Sequence, residues 1–504
     1  MLAEVISAAA RRYGSSPAYV TPTGDQVSYQ LLDRVSDELA AGLKARGLGE
    51  GDVMALLVPS GPAYTYAYLA AAKIGAITAG VNERLSPEER SACLSACAPR
   101  LVITDPALAA DCSIPDSEVV EVDLSPPAAD LVGELRIKGE TFAPIPDDPD
   151  RPIAIVFTSG TTGVPKAALF ANRQLDAISE IDAARRWGAG GRTLSATSYA
   201  HLGYMTKLPQ VLRSGGTTFL MERWDAGRAL AMVADHRLTT LGGIPTQIAL
   251  MLRHEAIGAS DLTSVVAIVM GGGPATPALV REARERFDAA VLMRYSCTEA
   301  GTGVGTSFDD PPEDAETTVG RARGSVELTI RAEDGTVLGA GQTGEVCLRS
   351  PASMTCYYRD PEASARAFGA DGAVRTGDIG FLDDRSRLHL VGRSKEMYVR
   401  GGYNVFPVEV EAVLASHPDV AEVAVAPRDD AVMGEIGVAV VVPRDASRPP
   451  SLDSLRSYAR SRLASFKLPE DLLVVSEIPR TAAEKTDRRA LAALVGEHED
   501  RGPA

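Results

Sequence analysis

The stretch Thr158-Ser159-Gly160-Thr161-Thr162-Gly163-Val164-Pro165-Lys166 follows the apolar run Ile153-Ala154-Ile155-Val156-Phe157 and ends in a lysine. Strand-forming residues stop at Thr158. The glycines then let backbone N–H groups turn towards an anion, the hydroxyls add donors, and Lys166 adds positive charge, which together suit phosphate. The spacing departs from the Walker pattern, in which four residues separate two glycines and lysine follows the second directly. Here two residues separate Gly160 from Gly163, and Lys166 comes later still.

On either side of this loop, helical and strand-like segments alternate. A helical period (Leu31, Leu32, Val35, Leu39, Leu43) closes on Gly47, and Val53-Met54-Ala55-Leu56-Leu57-Val58 reads as a buried strand. Segments 63–73, 76–79, 87–97 and 101–103 continue the alternation of a parallel sheet with crossover helices. Acidic, Pro-rich sequence from about 113 to 152 predicts irregular surface with an edge strand or two. After the loop come helix 172–186, strand 217–221, helix 226–236, strand 239–241, helix 246–254, strand 265–270, helix 277–287 and strand 291–295, a second layered α/β lobe. From about 320 to 391 the pattern shortens to strands and turns. Gly339-Ala340-Gly341-Gln342-Thr343-Gly344 fits GxGxxG, but a strand pattern follows it, so no helix N-terminus is on hand for a pyrophosphate. A composition shift at Gly392-Arg393-Ser394-Lys395 marks a boundary, giving domains 1–392 and 393–504. The second should be α+β, with helix 407–416, strands 420–426 and 437–443, and helix 452–463. Leu452-Asp453-Ser454-Leu455 reads as a helix start capped near Ser451 rather than a carrier-protein serine.

Composition narrows the function. The chain has 504 residues, 45% hydrophobic and 23% charged, enough for two or more domains. Net charge of −16 argues against nucleic acid or an anionic membrane as partner. No signal core or transmembrane run is evident. Six scattered cysteines do not form a disulfide framework, which fits a reduced cytoplasm.

Further along lie Gly271-Gly272-Gly273-Pro274, Tyr295-Ser296-Cys297-Thr298-Glu299, Thr376-Gly377-Asp378, Gly392-Arg393-Ser394-Lys395, Arg400-Gly401-Gly402-Tyr403-Asn404 and Pro479-Arg480-Thr481-Ala482-Ala483-Glu484-Lys485. With the 158–166 loop and in this order, they resemble the adenylate-forming superfamily: acyl-CoA synthetases, luciferases and peptide-synthetase adenylation domains. The match is nearest in pattern to fatty-acyl or aryl-CoA ligases and covers essentially the whole chain. The resemblance implies a large N-terminal domain of two α/β lobes with a small β-rich subdomain, and a small mobile C-terminal lid.

It also implies that RCOO⁻ and ATP give acyl-AMP and pyrophosphate, and that coenzyme A then takes the acyl group. ATP phosphates would lie on Thr158, Ser159, Gly160, Thr161, Thr162, Gly163 and Lys166. Gly272, Gly273, Pro274, Tyr295, Ser296 and Thr298 would hold adenine, and Asp378 and Arg393 the ribose. Mg²⁺ would sit on Glu299 and Thr158, a hard cation on oxygen ligands. Lys485 would cross to the α-phosphate, Lys395 would be the hinge, and Gly401 and Gly402 would let pantetheine pass. His201, Gly203, Tyr204, Gly273, Cys297 and Gly303 fall where the acid should lie. Gly301-Thr302-Gly303-Val304-Gly305 has little side-chain volume, leaving either room for a wide acyl group or space for other segments to fill. Ser296 and Glu484 stand where the family commonly has glycine.

The acyl-pocket stretches carry no carboxylate besides Glu299, so a neutral acid is expected rather than an amino acid. Two alternatives stay open: a stand-alone enzyme loading a carrier protein, and a nucleotide-binding scaffold without catalysis. Oligomeric state, whether monomer or homodimer, is not legible.

Overall fold

A computed structural model describes residues 1–158, 165–401, 403–430, 432–481 and 485–499. Four sheets carry the architecture, with helices packed around them: two large α/β lobes, a small antiparallel sheet, and a C-terminal α+β unit.

The first lobe is a seven-stranded sheet. Its parallel part runs Pro152–Thr158, Ile77–Gly80, Val53–Leu57, Leu101–Thr104 and Glu118–Glu121, the last being the edge strand expected in the Pro-rich stretch. Val53–Leu57 and the helix Pro62–Ile74 are buried along their entire lengths. A helix buried all round has no solvent face for its lysine, so Lys73 is neutralised inside: its ammonium donates to Asp33 at 2.7 Å, Asp37 at 2.6 Å and the Asp33 carbonyl at 3.0 Å. All three donors are thereby used, as a buried ammonium requires.

The second lobe is a nine-stranded sheet. Ala290–Cys297, Ala267–Gly271, Thr240–Gly243, Arg192–Ser195, Thr217–Leu220 and Pro17–Val20 are parallel neighbours, so their carboxyl ends open on one edge. The N-terminal hairpin Pro17–Val20/Gln26–Ser28 thus completes the sheet of the second lobe, not the first. Gly301–Gly305 folds back antiparallel on Ala290–Cys297. A four-stranded antiparallel sheet follows (Glu327–Arg331, Gly344–Arg349, Val374–Leu382, Leu388–Arg393). A strand, Gly344–Arg349, does follow the GxGxxG run.

The last sheet pairs Tyr403–Val405, Tyr398–Arg400, Gly434–Pro443 and Val420–Asp430, with Asp471–Val474 joining in parallel. Ser451 caps the helix Leu452–Ala459 through Ser454 N at 3.2 Å, and the Ser454 hydroxyl pairs with His417 at 3.0 Å, so this segment is structural.

Candidate active site

Pro152–Thr158 is followed by an antiparallel strand, Lys166–Ala171, with Thr158 directly opposite Lys166. The hydroxyl and the ammonium at the two ends of the loop are therefore cross-strand neighbours. Ser159, Gly160, Thr161, Thr162 and Gly163 lie outside the described residues.

At the end of Ala290–Cys297 the chain turns, and Glu299 sits in the turn. Its carbonyl accepts from Met354 N at 2.8 Å, and its carboxylate Oε1 accepts from the Tyr357 hydroxyl at 2.5 Å. Burial, then the Glu299 charge, raises the Tyr357 phenol above its ordinary value, so the proton stays on tyrosine. Tyr357 belongs to a short strand, Cys356–Tyr357, paired with Lys166–Ala171, and the Lys166 ammonium lies 5.1 Å from its ring centroid. Nothing in the sequence motifs points to Tyr357; it reaches the site through sheet pairing. Thr158 and Glu299 are oxygen donors suited to Mg²⁺. Among the described residues there is no cluster of three or more His, Cys, Asp or Glu.

Asp378 is set by register. It faces Arg393 across antiparallel strands, and Arg393 Nε donates to Oδ1 at 2.8 Å. The Tyr295 hydroxyl donates to Oδ2 at 2.6 Å. Gly377 makes the turn possible at φ +71°, with Thr376 Oγ1 accepting from Asp378 N at 3.1 Å. The tyrosine assigned to adenine and the two residues assigned to ribose thus form one cluster drawn from two sheets. Ser296 is exposed, while Cys297 and Thr298 are half-buried. Burial raises the Cys297 thiol, which leaves it an inert wall.

Gly272 to Pro274 lie just beyond the carboxyl end of Ala267–Gly271, where ligands bind in open α/β sheets. A methyl at Gly272 would meet only Ile244 Cγ2 at 3.5 Å and Lys485 Cε at 3.9 Å, and one at Gly273 only Pro245 at 3.7 Å. At Gly203 and Gly242 it would meet nothing within 4 Å. Small residues therefore line open space here. The run 301–305 is different. The Cβ positions of Gly301, Gly303 and Gly305 would fall 2.5 Å from the Ala352 carbonyl, 2.4 Å from Val326 and 2.8 Å from Arg294, so neighbouring segments already fill that volume.

Lys485 reaches this cleft from the C-terminal part of the chain. Thr481 N donates to the Lys485 carbonyl at 2.7 Å, and Arg480 Nη1 lies 3.5 Å from Thr246 on the large domain. The residue keeps solvent access, yet desolvation of its ammonium, and then the Arg393 charge, lower its pKa from the usual lysine value. Glu484 lies outside the described residues, as does Gly402. Gly401, at φ +54°, donates its N–H to the Met433 carbonyl at 2.7 Å in the C-terminal hairpin, and Lys395 sits in the turn between Arg393 and Tyr398.

His201 is half-buried, with Nε2 3.2 Å from Asn82 Nδ2, a neighbour the motifs do not reveal. Burial first, then the Lys485 and Arg84 charges, push it down to about 4. The folded form therefore resists protonation: stability is full above the unfolded value of 6.5 and falls as pH drops from there towards about 4. The kcat/KM profile between about pH 5 and 8 should carry no limb from His201. A limb near 6.5 that vanishes in His201→Gln would overturn this. The Tyr204 hydroxyl is turned to Tyr19 at 3.1 Å and Thr65 at 2.5 Å, with its ring stacked on Tyr199, so its polar end is committed between the two lobes. One carboxylate the motif reading did not consider, Asp182, reaches Thr302 Oγ1 at 3.3 Å but is held by Lys207 at 2.8 Å.

The family model for AMP-binding enzymes matches residues 6–358, and that for the AMP-binding enzyme C-terminal domain matches 409–485. The chain is 32% identical to an indoleacetate–CoA ligase of Aromatoleum aromaticum over 93% of both chains. It is 31% identical to the fatty acid–[acyl-carrier-protein] ligase ScoC of Streptomyces coeruleorubidus, over 97% of this chain and 95% of that protein. Among solved structures it is similar to ATP-bound MatB from Rhodopseudomonas palustris, with TM-score 0.87 and 26% identity, covering 99% of this chain and 100% of that one.

Proposed function

The chain belongs to the AMP-binding enzyme family, and from that premise we infer how its residues carry out the chemistry. It is an AMP-forming acid–thiol ligase, converting a carboxylic acid and ATP to an acyl adenylate and passing the acyl group to coenzyme A. A carboxylate is a poor acyl donor because attack would expel oxide; AMP is a stable leaving group. Lys166 and the hydroxyls of 158–162 hold the phosphates. Tyr295 flanks adenine with Gly272 to Pro274. Glu299 and Thr158 would hold Mg²⁺, which would offset phosphate charge.

The observation that carries the reading is the approach of Lys485, from the C-terminal domain, to Gly272 in the cleft of the large domain. Charge builds on the α-phosphate as the acid attacks, and a cation there stabilises the transition state. Neutral His201 suits a wall of the acyl and thiol path. The open space at Gly203 and Gly242 suits the acyl tail. Asp182, already paired, offers no anchor for an ammonium. The acid is therefore a neutral fatty or aryl carboxylic acid. Free cysteines throughout, including Cys93 and Cys97 whose buried thiols are pushed up to about 12, support a reducing cytoplasmic setting. No helix among the described residues is long and apolar enough to cross a membrane.

AMP release across a panel of fatty, aryl and α-amino acids tests this. Fatty or aryl acids should turn over with CoA, and amino acids as best substrates would overturn the reading. A holo carrier protein as alternative acceptor tests the second reading, which the similarity to ScoC favours.

A further inference from the structure

The carboxylate assigned to the metal and the ammonium that closes the phosphate loop come from different sheets. Glu299 follows a strand of the nine-stranded sheet, and Lys166 begins a strand of the seven-stranded one. For an ion held by Glu299 to serve the ATP phosphates, their spacing would have to hold to about half an ångström, yet among the described residues no strand pairing connects the two sheets directly.

One side chain touches both groups. Tyr357 donates its hydroxyl to Glu299 Oε1 at 2.5 Å, and its ring lies 5.1 Å from the Lys166 ammonium. Its backbone is fixed to the phosphate-loop hairpin: Thr355 N and Tyr358 N each donate to that strand, to Leu169 O and Ala167 O at 2.7 Å. The same segment ties down the Glu299 backbone through Met354 N. Ser364 Oγ accepts from Tyr357 N at 2.9 Å, and the side chain is only 5% exposed, so the ring has one place to go.

We propose that Tyr357 is a positioning residue for the metal: it holds one oxygen of Glu299, leaving the other free for Mg²⁺ when the ion binds, and its ring restrains the Lys166 ammonium. The inference rests on the assignment of Glu299 to the metal. A ligating carboxylate free to rotate pays for its ordering on binding, whereas one held by a buried phenol is already oriented; loss of such an outer partner typically weakens metal binding by 10- to 100-fold. The ring also restrains Lys166, since an ammonium over an aromatic face is attracted to it.

The test is Mn²⁺ binding to the full-length protein with α,β-methylene-ATP, read by electron paramagnetic resonance, with adenylation rate against Mg²⁺ as a second readout. Tyr357→Phe keeps the ring over Lys166 and removes only the hydroxyl. It should weaken Mn²⁺ binding by about 10- to 100-fold with little change in melting temperature. In a Glu299→Gln background the same substitution should add almost nothing, because both act through one carboxylate. Wild-type Mn²⁺ affinity in Tyr357→Phe, while Glu299→Gln weakens it, overturns the positioning role alone. Equal, additive losses in both backgrounds do the same, since they signify a general effect on the fold. Unchanged affinity in Glu299→Gln removes the metal assignment and this proposal with it.

Discussion

Lys485→Ala should lose on the order of 10²–10³ in acyl-adenylate formation, the size typical of removing one preorganised stabiliser of developing charge. The same variant should still convert supplied acyl-AMP and CoA to acyl-CoA. The asymmetry follows from the two reactions. In the first, negative charge grows at the α-phosphate, and in the reading proposed above the lysine beside Gly272 would meet it. In the second, a thiol attacks the acyl carbonyl and AMP leaves already charged, so no cation is needed at that spot. The depressed lysine pKa adds a signature. Its ammonium is lost at lower pH than in a free lysine, so the alkaline limb of adenylation falls earlier, and Lys485→Arg should move that limb upward. Removing the charge should also let His201 titrate closer to its ordinary value, measurable by NMR, because Lys485 is its second-largest perturbation after burial. Equal damage to both half-reactions would show that Lys485 supports the fold rather than the first step.

Delivery of that lysine depends on the joint between domains. A methyl at Gly392 would fall 2.8 Å from the Phe406 ring, so the strand leading into Arg393 and the start of the helix Pro407–Leu414 pack without spare room. Arg480 near Thr246 adds a second contact across the cleft. Both must be released if the C-terminal domain rotates about Lys395 to bring Gly401 and its neighbours to the thiol path.

The sequence discloses those parts of the site whose chemistry is local. A loop between Thr158 and Lys166, an aspartate after a Gly377 held at positive φ, and a glutamate two residues past a strand each need particular neighbours in sequence, so each leaves a short signature. Partners chosen by pairing leave none. Lys166–Ala171 is alanine-rich, and alanine favours helix, yet a central place between two neighbouring strands makes it strand. The N-terminal hairpin 17–28 joins a sheet whose nearest strand in space lies some two hundred residues on, as Tyr19 opposite Thr218 shows. Tyr357 reaches Glu299 for the same reason. Glycines mislead when taken as empty space: at 203 and 242 they are, but at 301 and 303 Ala352 and Val326 occupy what they vacate.

Asp378→Ala should raise the KM for ATP by on the order of 10²–10⁴ while changing kcat much less. An ionised carboxylate has about four acceptor sites. Two are taken, by Tyr295 and Arg393, which leaves two for the ribose hydroxyls. Each hydrogen bond to a charged group contributes about 1.5–3 kcal/mol, or roughly 10- to 100-fold in affinity. Two such bonds vanish in the variant. A further loss comes from the protein side: Asp378 is 6% exposed, and removing it strands the buried Tyr295 hydroxyl that it had satisfied. Arg393 would then turn to other acceptors, and the Tyr295 ring would lose the anchor that its hydroxyl finds in Asp378. Asp378→Asn separates these effects. The amide fills the same volume and still accepts at one oxygen, so the ring keeps its place while the charge is gone, and the KM should fall between wild type and alanine. Calorimetric titration with ATP reports the binding directly and steady-state rates at saturating ATP report kcat. A KM within about threefold of wild type in the alanine variant would mean that the ribose lies elsewhere; a large fall in kcat at unchanged KM would mean that Asp378 acts on the transition state instead.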